Sequence, residues 1–592
     1  MNPGYLSTSK ARFQLHLIKP SHYDDDGYVI QWYRSAIPSN TLAALYGLAL
    51  DCRDRDVLQG TPIDIFEADE TNTRIRPDVI IRDIRASGNT GLVCLVGVQS
   101  NQFPRAMDLA RPLREAGIQV AIGGFHVSGC MAMLPGVQPD LQEALDLGIS
   151  LFAGEAEGRL DDVLIDAAAG ALKPIYNYMN DLPGLEGAPP PLLPPERIQR
   201  TGGRISSFDA GRGCPFQCSF CTIINVQGRK SRFRTPEDVE NLIRRNLAQG
   251  VDRFFITDDN FARNRNWEPI FDRLIAIREA EDLSFRFIIQ VDTLCHKIPG
   301  FVEKSARAGV TRVFIGLETI SPDNLIAAKK KQNRISEYRE MLLAWKAVGC
   351  FTYAGYILGF PDDTPESIRR DIGIIKRELP LDLLEFFFLT PLPGSEDHKT
   401  LFTKGVAMEP DMNKYDLEHA CTAHPKMSKA QWEEAYAMAW REYYTPEHMA
   451  TIMRRAAATR ISPGKMMFLL LWFWGTVTLE KVHPLQGGYL RRKVRTDRRP
   501  GMPTESPLVF YPRTVWEVIE KHVRIGVQIL RLARVRRELK RDKHAARAYM
   551  DQALRPVQDD DMDTLELFTA TGAARAAVDK VRRDNAKVAA RV

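Results

Sequence analysis

The string "GCPFQCSFCTI", residues 213–223, sets Cys214, Cys218 and Cys221 in CxxxCxxC spacing, with Phe220 immediately before the third cysteine. Thiolates are soft ligands that select zinc, cuprous copper or iron-sulfur clusters. Structural zinc takes four protein ligands, often as two close pairs, and no second CxxC pair occurs in the 592 residues. A cubane cluster also takes four ligands, so three cysteines leave one iron open. Two plainer readings stand beside that one: three unligated core cysteines, or zinc with a distant fourth ligand.

Positioning three thiols requires a scaffold, and the chain divides into segments that supply one. At this length two to four domains are expected. A content of 44% hydrophobic and 26% charged residues describes a folded protein rather than a disordered one. Residues 1–172 alternate short apolar runs ("FQLHLIKP", "IDIFEADE", "GLVCLVGVQS", "IQVAIGG", "ISLFAGEAEG") with amphipathic stretches, the pattern of a doubly wound α/β sheet. Residues 173–203 contain "LPGLEGAPPPLLPPE" and read as a proline-rich linker. Residues 204–400 repeat strand then helix six times, which predicts a partial (β/α)6 barrel whose reactive residues sit at the strand ends. Residues 401–592 read as a helical C-terminal domain. The six cysteines outside the cluster (Cys52, Cys94, Cys130, Cys295, Cys350, Cys421) are scattered, so a disulfide framework is not expected.

CxxxCxxC after the first strand of such a barrel, within "GRGCPFQCSFC", resembles the signature of radical S-adenosylmethionine (SAM) enzymes. That resemblance implies a [4Fe-4S] cluster on Cys214, Cys218 and Cys221, with SAM chelating the open iron, and Phe220 beside the cofactor. It also assigns the remaining strand ends by analogy. Asp258, Asp259 and Asn260 ("TDDN") occupy the end that contacts the methionyl amine, although the chain departs there from the familiar Gly-Gly-Glu pattern. Gln290, Asp292, Glu318, Gly359 and Pro361 end later strands and correspond to ribose and adenine contacts. Each also suits an ordinary cap or turn.

A doubly wound domain upstream of a radical barrel, with "AIGGFHVSG" and "FAGEAEG" following two of its strands, resembles the cobalamin-binding domain of the B12-dependent radical subfamily. Gly123, Gly124, His126 and Glu155 are then the expected corrinoid contacts. The DxHxxG pattern that supplies an axial histidine to cobalt is absent; "SHYDDDG" has neither the spacing nor the Asp. The subfamily implies methylation of an unactivated carbon. The alternatives are radical cyclisation or rearrangement of the chlorophyll-ring or lipid kind, and a non-catalytic iron-sulfur or corrinoid-binding regulator. Expected partners are a small-molecule or lipid-like substrate and an electron donor such as flavodoxin or ferredoxin.

Charge is uneven. Residues 491–547 hold 17 Lys/Arg against 6 Asp/Glu, next to the apolar run "MMFLLLWFW" (Met466 to Trp474). These two features raise an expectation of peripheral membrane contact, against the plainer reading of a buried helix under a solvated basic face. Nucleic acid ranks below both, since no RNA-binding module is evident. The N-terminus lacks a basic region followed by an apolar core, so a cytoplasmic location, peripheral to the inner face of the membrane if lipid is contacted, is the expectation.

Overall fold

A computed structural model describes residues 12–88 and 90–589. Residues 1–11, on which the expectation of no signal segment partly rests, lie outside the described residues.

The N-terminal domain contains β1 (Phe13–Lys19), β2 (Trp32–Ser35), β3 (Ile63–Asp69), β4 (Gly91–Leu95), β5 (Gln119–Gly123), β6 (Ser150–Ala153) and β7 (Ile175–Asn177). All but β2 form one sheet in the order β3-β1-β4-β5-β6-β7, parallel throughout. The apolar runs are continuous because helices cover both faces; β4 is buried at every position.

The linker expectation requires correction. Residues 175–177 pair with β6 as the sixth strand of the sheet, so this domain extends beyond residue 172. The prolines that follow do not swing free either. Leu185, Leu192 and Leu193 are buried, and Leu192 N–H donates to the Ala43 carbonyl at 3.1 Å. Apolar leucines between the prolines bury surface, which a solvated spacer lacks.

The barrel follows with β8 (Ile205–Phe208), the small hairpin β9 (Gly211–Arg212) and β10 (Arg232–Phe233), then β11 (Arg253–Ile256), β12 (Arg286–Val291), β13 (Val310–Glu318), β14 (Phe351–Leu358) and β15 (Leu383–Phe388). Its six main strands are parallel in sequential order, β15-β14-β13-β12-β11-β8, so β8 and β15 are free edges of an open barrel. The helices between them start on local signals. Thr235 and Asp238 form a reciprocal capping box ahead of Pro236–Ala248, and Thr364 and Ser367 do the same ahead of Pro365–Glu378.

The C-terminal region is helical, as expected: Lys429–Tyr443, Pro446–Ala458, Pro463–Gly475 and the 35-residue helix Pro507–Arg541. Between the last two, β16 (Gly488–Arg491) pairs antiparallel with β2, tying this region to the N-terminal domain. The run Met466 to Trp474 lies in Pro463–Gly475, where Met466, Leu469, Leu470, Leu471 and Phe473 are buried. It is core for the most part and does not form the interfacial element considered from sequence.

Candidate active site

The cysteine loop leaves β8 and is flanked by the β9/β10 hairpin. Cys218 is buried, and Cys214 and Cys221 are half-buried. Burial pushes the Cys214 thiol up to about 11 and Cys221 up to about 12, the latter with a further upward push from Asp259. Thiols in such surroundings become thiolates only when a cation joins them. Among the described residues, one group of three His, Cys, Asp or Glu side chains has its ligand atoms within 4.8 Å of one another, and it is His296, Glu337 and Glu340. The three cysteine sulfurs are therefore spread too widely for a single ion, which disfavours mononuclear zinc and fits a multi-iron cluster. The Gln332 amide donates to Cys218 Sγ at 3.3 Å.

Asp259 is a half-buried carboxyl with no ion pair among the described residues; burial raises it to about 7, opposed by its own backbone N–H and the charge of Arg212. It acts electrostatically on both Cys214 and Cys221. On the other side of the loop, Lys330 forms an ion pair with Glu318 and lies 5.7 Å from the Phe220 ring centroid. Burial alone would lower Lys330, but Glu318 and Cys218 overcome it and hold the ammonium charged. Glu318 sits at the end of β13 at φ +66°, where the ladder to β14 shifts register. Left-handed backbone is costly for a residue with a Cβ and marks a constrained strand end.

The other nominated strand ends act mainly on one another. Asp258 accepts from the N–H groups of Ala210 (2.7 Å) and Gly211 (2.9 Å) and from Asn264 Nδ2 (2.9 Å); burial still pushes it up to about 7. Asn260 Nδ2 donates to Asp292 at 2.9 Å, and Arg263 Nε donates to the same Asp292 oxygen at 2.6 Å. Gln290 Nε2 reaches the Asp258 carbonyl at 3.3 Å. Asp258, Asn260, Gln290 and Asp292 thus brace the ends of β8, β11 and β12. The residues expected by analogy to contact the cofactor therefore also have partners within the chain.

The six remaining nominated residues have the following surroundings. Gly359, at φ +101°, is needed for packing: a Cβ there would meet Trp432 Cζ2 at 1.9 Å, and Asp363 accepts from its N–H. Pro361 is exposed beside it. Gly124 faces its own chain, since a Cβ would lie 2.2 Å from the Val98 nitrogen, and Gly123 lies against Phe152. His126 is 1% exposed, held by Asp140 (2.7 Å) and Ser100 (3.1 Å). Glu155 pairs with Arg212 (2.6 Å) and Arg232 (2.5 Å) of the β9/β10 hairpin.

That last pair fixes how the domains meet. Arg212 also binds Glu157 at 2.6 Å and Asp209 at 3.2 Å. Both glutamates follow β6, whereas Asp209 and Arg212 follow β8. Elsewhere, Gly129, in the helix after β5, lies against the loop after β15: a Cβ there would meet the Pro393 carbonyl oxygen at 2.3 Å. The carboxyl edges of the two sheets, where α/β folds bind ligands, face each other across the cysteine loop.

Residues 209–373 match the Radical SAM superfamily. The chain carries a radical SAM domain. Over 372 residues it is 25% identical to bacteriochlorophyllide d C-8(2)-methyltransferase of Chlorobaculum tepidum, covering 59% of this chain and 78% of that protein. It is 24% identical to hopanoid C-2 methylase of Rhodopseudomonas palustris, covering 60% and 66% respectively. Among solved structures, the radical SAM methyltransferase TsrM from Kitasatospora setae, with cobalamin and a [4Fe-4S] cluster bound, superposes with a TM-score of 0.53 at 14% identity, covering 78% of this chain and 99% of that one. The fold is therefore of the class read from the sequence, parallel α/β domains followed by a helical region.

Lys330, Arg212, Glu157 and Gln332 were not nominated from sequence. Lys330 and Gln332 lie in "AAKKKQN", which reads as a solvated charge run, and their burial is a tertiary fact. Arg212 stands two residues from Cys214, and a charged side chain at that strand end was the available signal.

Proposed function

We propose that this protein is a cobalamin-dependent radical SAM methyltransferase acting on an unactivated carbon. The observation that carries the reading is the placement of three thiols at the carboxyl edge of the barrel, facing the carboxyl edge of a doubly wound domain. Cys214, Cys218 and Cys221 fit a [4Fe-4S] cluster by donor type, spread and burial. Asp259 fits as acceptor for the amine of SAM, being a carboxyl beside the thiols without a cation of its own. Lys330, held by Glu318 against Phe220, fixes a positive charge next to the sulfurs and offsets the negative charge of the thiolates. Together the groups would supply a carbon-centred radical, from one-electron cleavage of SAM, and a transferable methyl group.

The nominated corrinoid contacts fit less well. Val98 fills the approach at Gly124, and His126 and Glu155 are already engaged, so the cobalamin assignment rests on the fold and on the relatives. A flavodoxin or ferredoxin type of electron donor follows from the same reading. To test it, each of Cys214→Ala, Cys218→Ala and Cys221→Ala is reconstituted anaerobically. Each should lose most of its iron and its 5′-deoxyadenosine formation; full iron retention in all three would overturn the assignment.

A lipid-facing location is a second reading, favoured by one observation. In the helix Pro507–Arg541, Leu508, Val515, Trp516, Ile519, Val523 and Leu530 are 49 to 87% exposed. No helix among the described residues is long and apolar enough to cross a membrane, so this face would lie on a bilayer rather than in it.

A further inference from the structure

Glu385 is the third residue of β15, and it is fully buried with neither carboxyl oxygen hydrogen-bonded. Buried polar groups are nearly always satisfied, and an orphan calls for an explanation. No charged neighbour compensates it either: burial alone pushes Glu385 up to about 8, which keeps the carboxyl neutral at pH 7.

Glu385 is not isolated. Tyr436 Oη and Trp440 Nε1 are likewise buried with no well-formed hydrogen bond to the rest of the chain, facing each other, and His483 Nε2 is buried facing the Phe386 carbonyl. Aromatic contacts make one wall of them. The His483 ring lies 4.7 Å from Phe387 and 5.8 Å from Trp440, Trp440 lies 6.3 Å from Tyr436, and Tyr436 lies 4.7 Å from Phe388. Glu385 in turn acts electrostatically on Tyr353, Tyr436 and Tyr444. His483 Nδ1 accepts from the Leu485 N–H at 3.3 Å, which leaves the ring proton on Nε2 as a donor. Burial lowers His483 to about 3, opposed only by the nearby Phe386 carbonyl, so the ring is neutral.

The location is as informative as the chemistry. β15 is an edge of the open barrel, and the helix Lys429–Tyr443 and the segment around His483 close that edge; Tyr444 Oη satisfies both the N–H and the carbonyl of Leu384. Phe387 also packs in the same small apolar cluster as Phe220, the residue beside Cys221. The seam and the cysteine loop thus share an apolar cluster, through Phe387 on one side and Phe220 on the other.

We propose that this seam is the substrate-recognition site, taking a molecule with an apolar or aromatic body that carries a neutral hydrogen-bonding group such as a hydroxyl or carbonyl. The inference rests on the radical reading for its chemistry but not for its binding. Trp440 donates, Tyr436 and Glu385 donate or accept, and the aromatic rings, His483 among them, enclose the body. Among the described residues Glu385 has no ion-pair partner, so an anionic group beside it would meet no compensating charge.

The test uses the full chain with its cluster reconstituted and SAM omitted, and p-cresol and p-toluenesulfonate as probes of one body with a neutral or an anionic group. Ligand-detected NMR and calorimetry should show p-cresol bound by the parent and weakened about tenfold by Glu385→Leu and by Trp440→Phe, the order expected for losing one hydrogen bond to a buried polar group. The sulfonate should not compete. Iron content should be unchanged, and Glu385→Leu should melt above the parent, because it removes a buried group that nothing in the free protein satisfies. Should Glu385→Leu not fold, Glu385→Met replaces it, with the same weakening expected. Absence of p-cresol binding by the parent, equal binding by parent and variants, or a lower melting point for the folded leucine variant would overturn the proposal, the seam then holding water or serving packing. Iron loss in the cysteine variants is independent of all these outcomes, so failure of the seam and failure of the radical reading are read separately.

Discussion

At the scale of single residues, the site is built from charges that the fold holds in pairs and thiols that it leaves unpaired. Lys330 and Glu318 have side chains 8% and 12% exposed. Removing one partner of a buried ion pair strands the other charge and typically costs about 3 to 5 kcal/mol. Lys330→Met is therefore expected to destabilise the chain by about that amount in urea denaturation. Adding Glu318→Gln should recover most of the loss, because the double variant buries no uncompensated charge. Additive losses in the double variant would show that the two side chains act separately.

At the scale of elements, the helix Pro507–Arg541 presents two faces. Phe510, Gln528 and Leu532 are buried against the domain, and the apolar residues on the opposite face meet solvent. The helix carries nine Lys/Arg and three Asp/Glu, and its last two turns, from Arg534 to Arg541, contain five of the basic residues. An apolar stripe running into a basic end is suited to an anionic lipid surface, where each basic residue contributes about 1 kcal/mol. The chain should sediment with vesicles containing phosphatidylglycerol at low salt and much less at high salt, since the attraction is screened over a Debye length of about 10 Å at 0.1 M. The double substitution Val515→Glu, Val523→Glu should abolish that binding with an unchanged melting temperature, both positions being exposed. Self-association of the parent without vesicle binding would instead assign the stripe to a second copy of the chain.

At the scale of the whole molecule, distant segments hold the domains together. His419 binds Asp416 at 2.9 Å and Asp25 at 3.2 Å, joining the loop after the barrel to the N-terminal domain. Burial would lower its pKa, but the two carboxylates outweigh that and raise it to about 10. A histidine whose pKa is raised on folding contributes stability fully present below its unfolded value of about 6.5 and lost as pH rises through the folded value. The melting temperature of the parent should therefore fall more steeply between about pH 6.5 and 10 than that of His419→Gln. Parallel curves would exclude the contribution.

The doubly wound class, the six βα units, the helical C-terminal region and the three thiols were legible in the amino-acid sequence, because each depends on local periodicity or on spacing within a few residues. Asp258, Asn260, Gln290 and Asp292 were legible as strand ends but not as braces, since a carboxylate's partner is decided by what the neighbouring strand brings beside it. Gly124, His126 and Glu155 were visible as polar or flexible residues at a ligand edge. Only the tertiary structure shows Val98, Asp140 and Arg212 already satisfying them. The same holds for the membrane-like run at Met466, which composition marks as apolar and packing makes core, and for Glu385, which a strand pattern treats as one polar residue in "LLEFFF". Local sequence determined which elements form and where three thiols stand. Long-range packing decided which polar groups are paired, which are left for a ligand, and that the two ligand edges meet, because those outcomes depend on contacts between different elements, such as Arg212 with Glu155 and Arg339 with the Gln552 carbonyl, 57 and 213 positions apart.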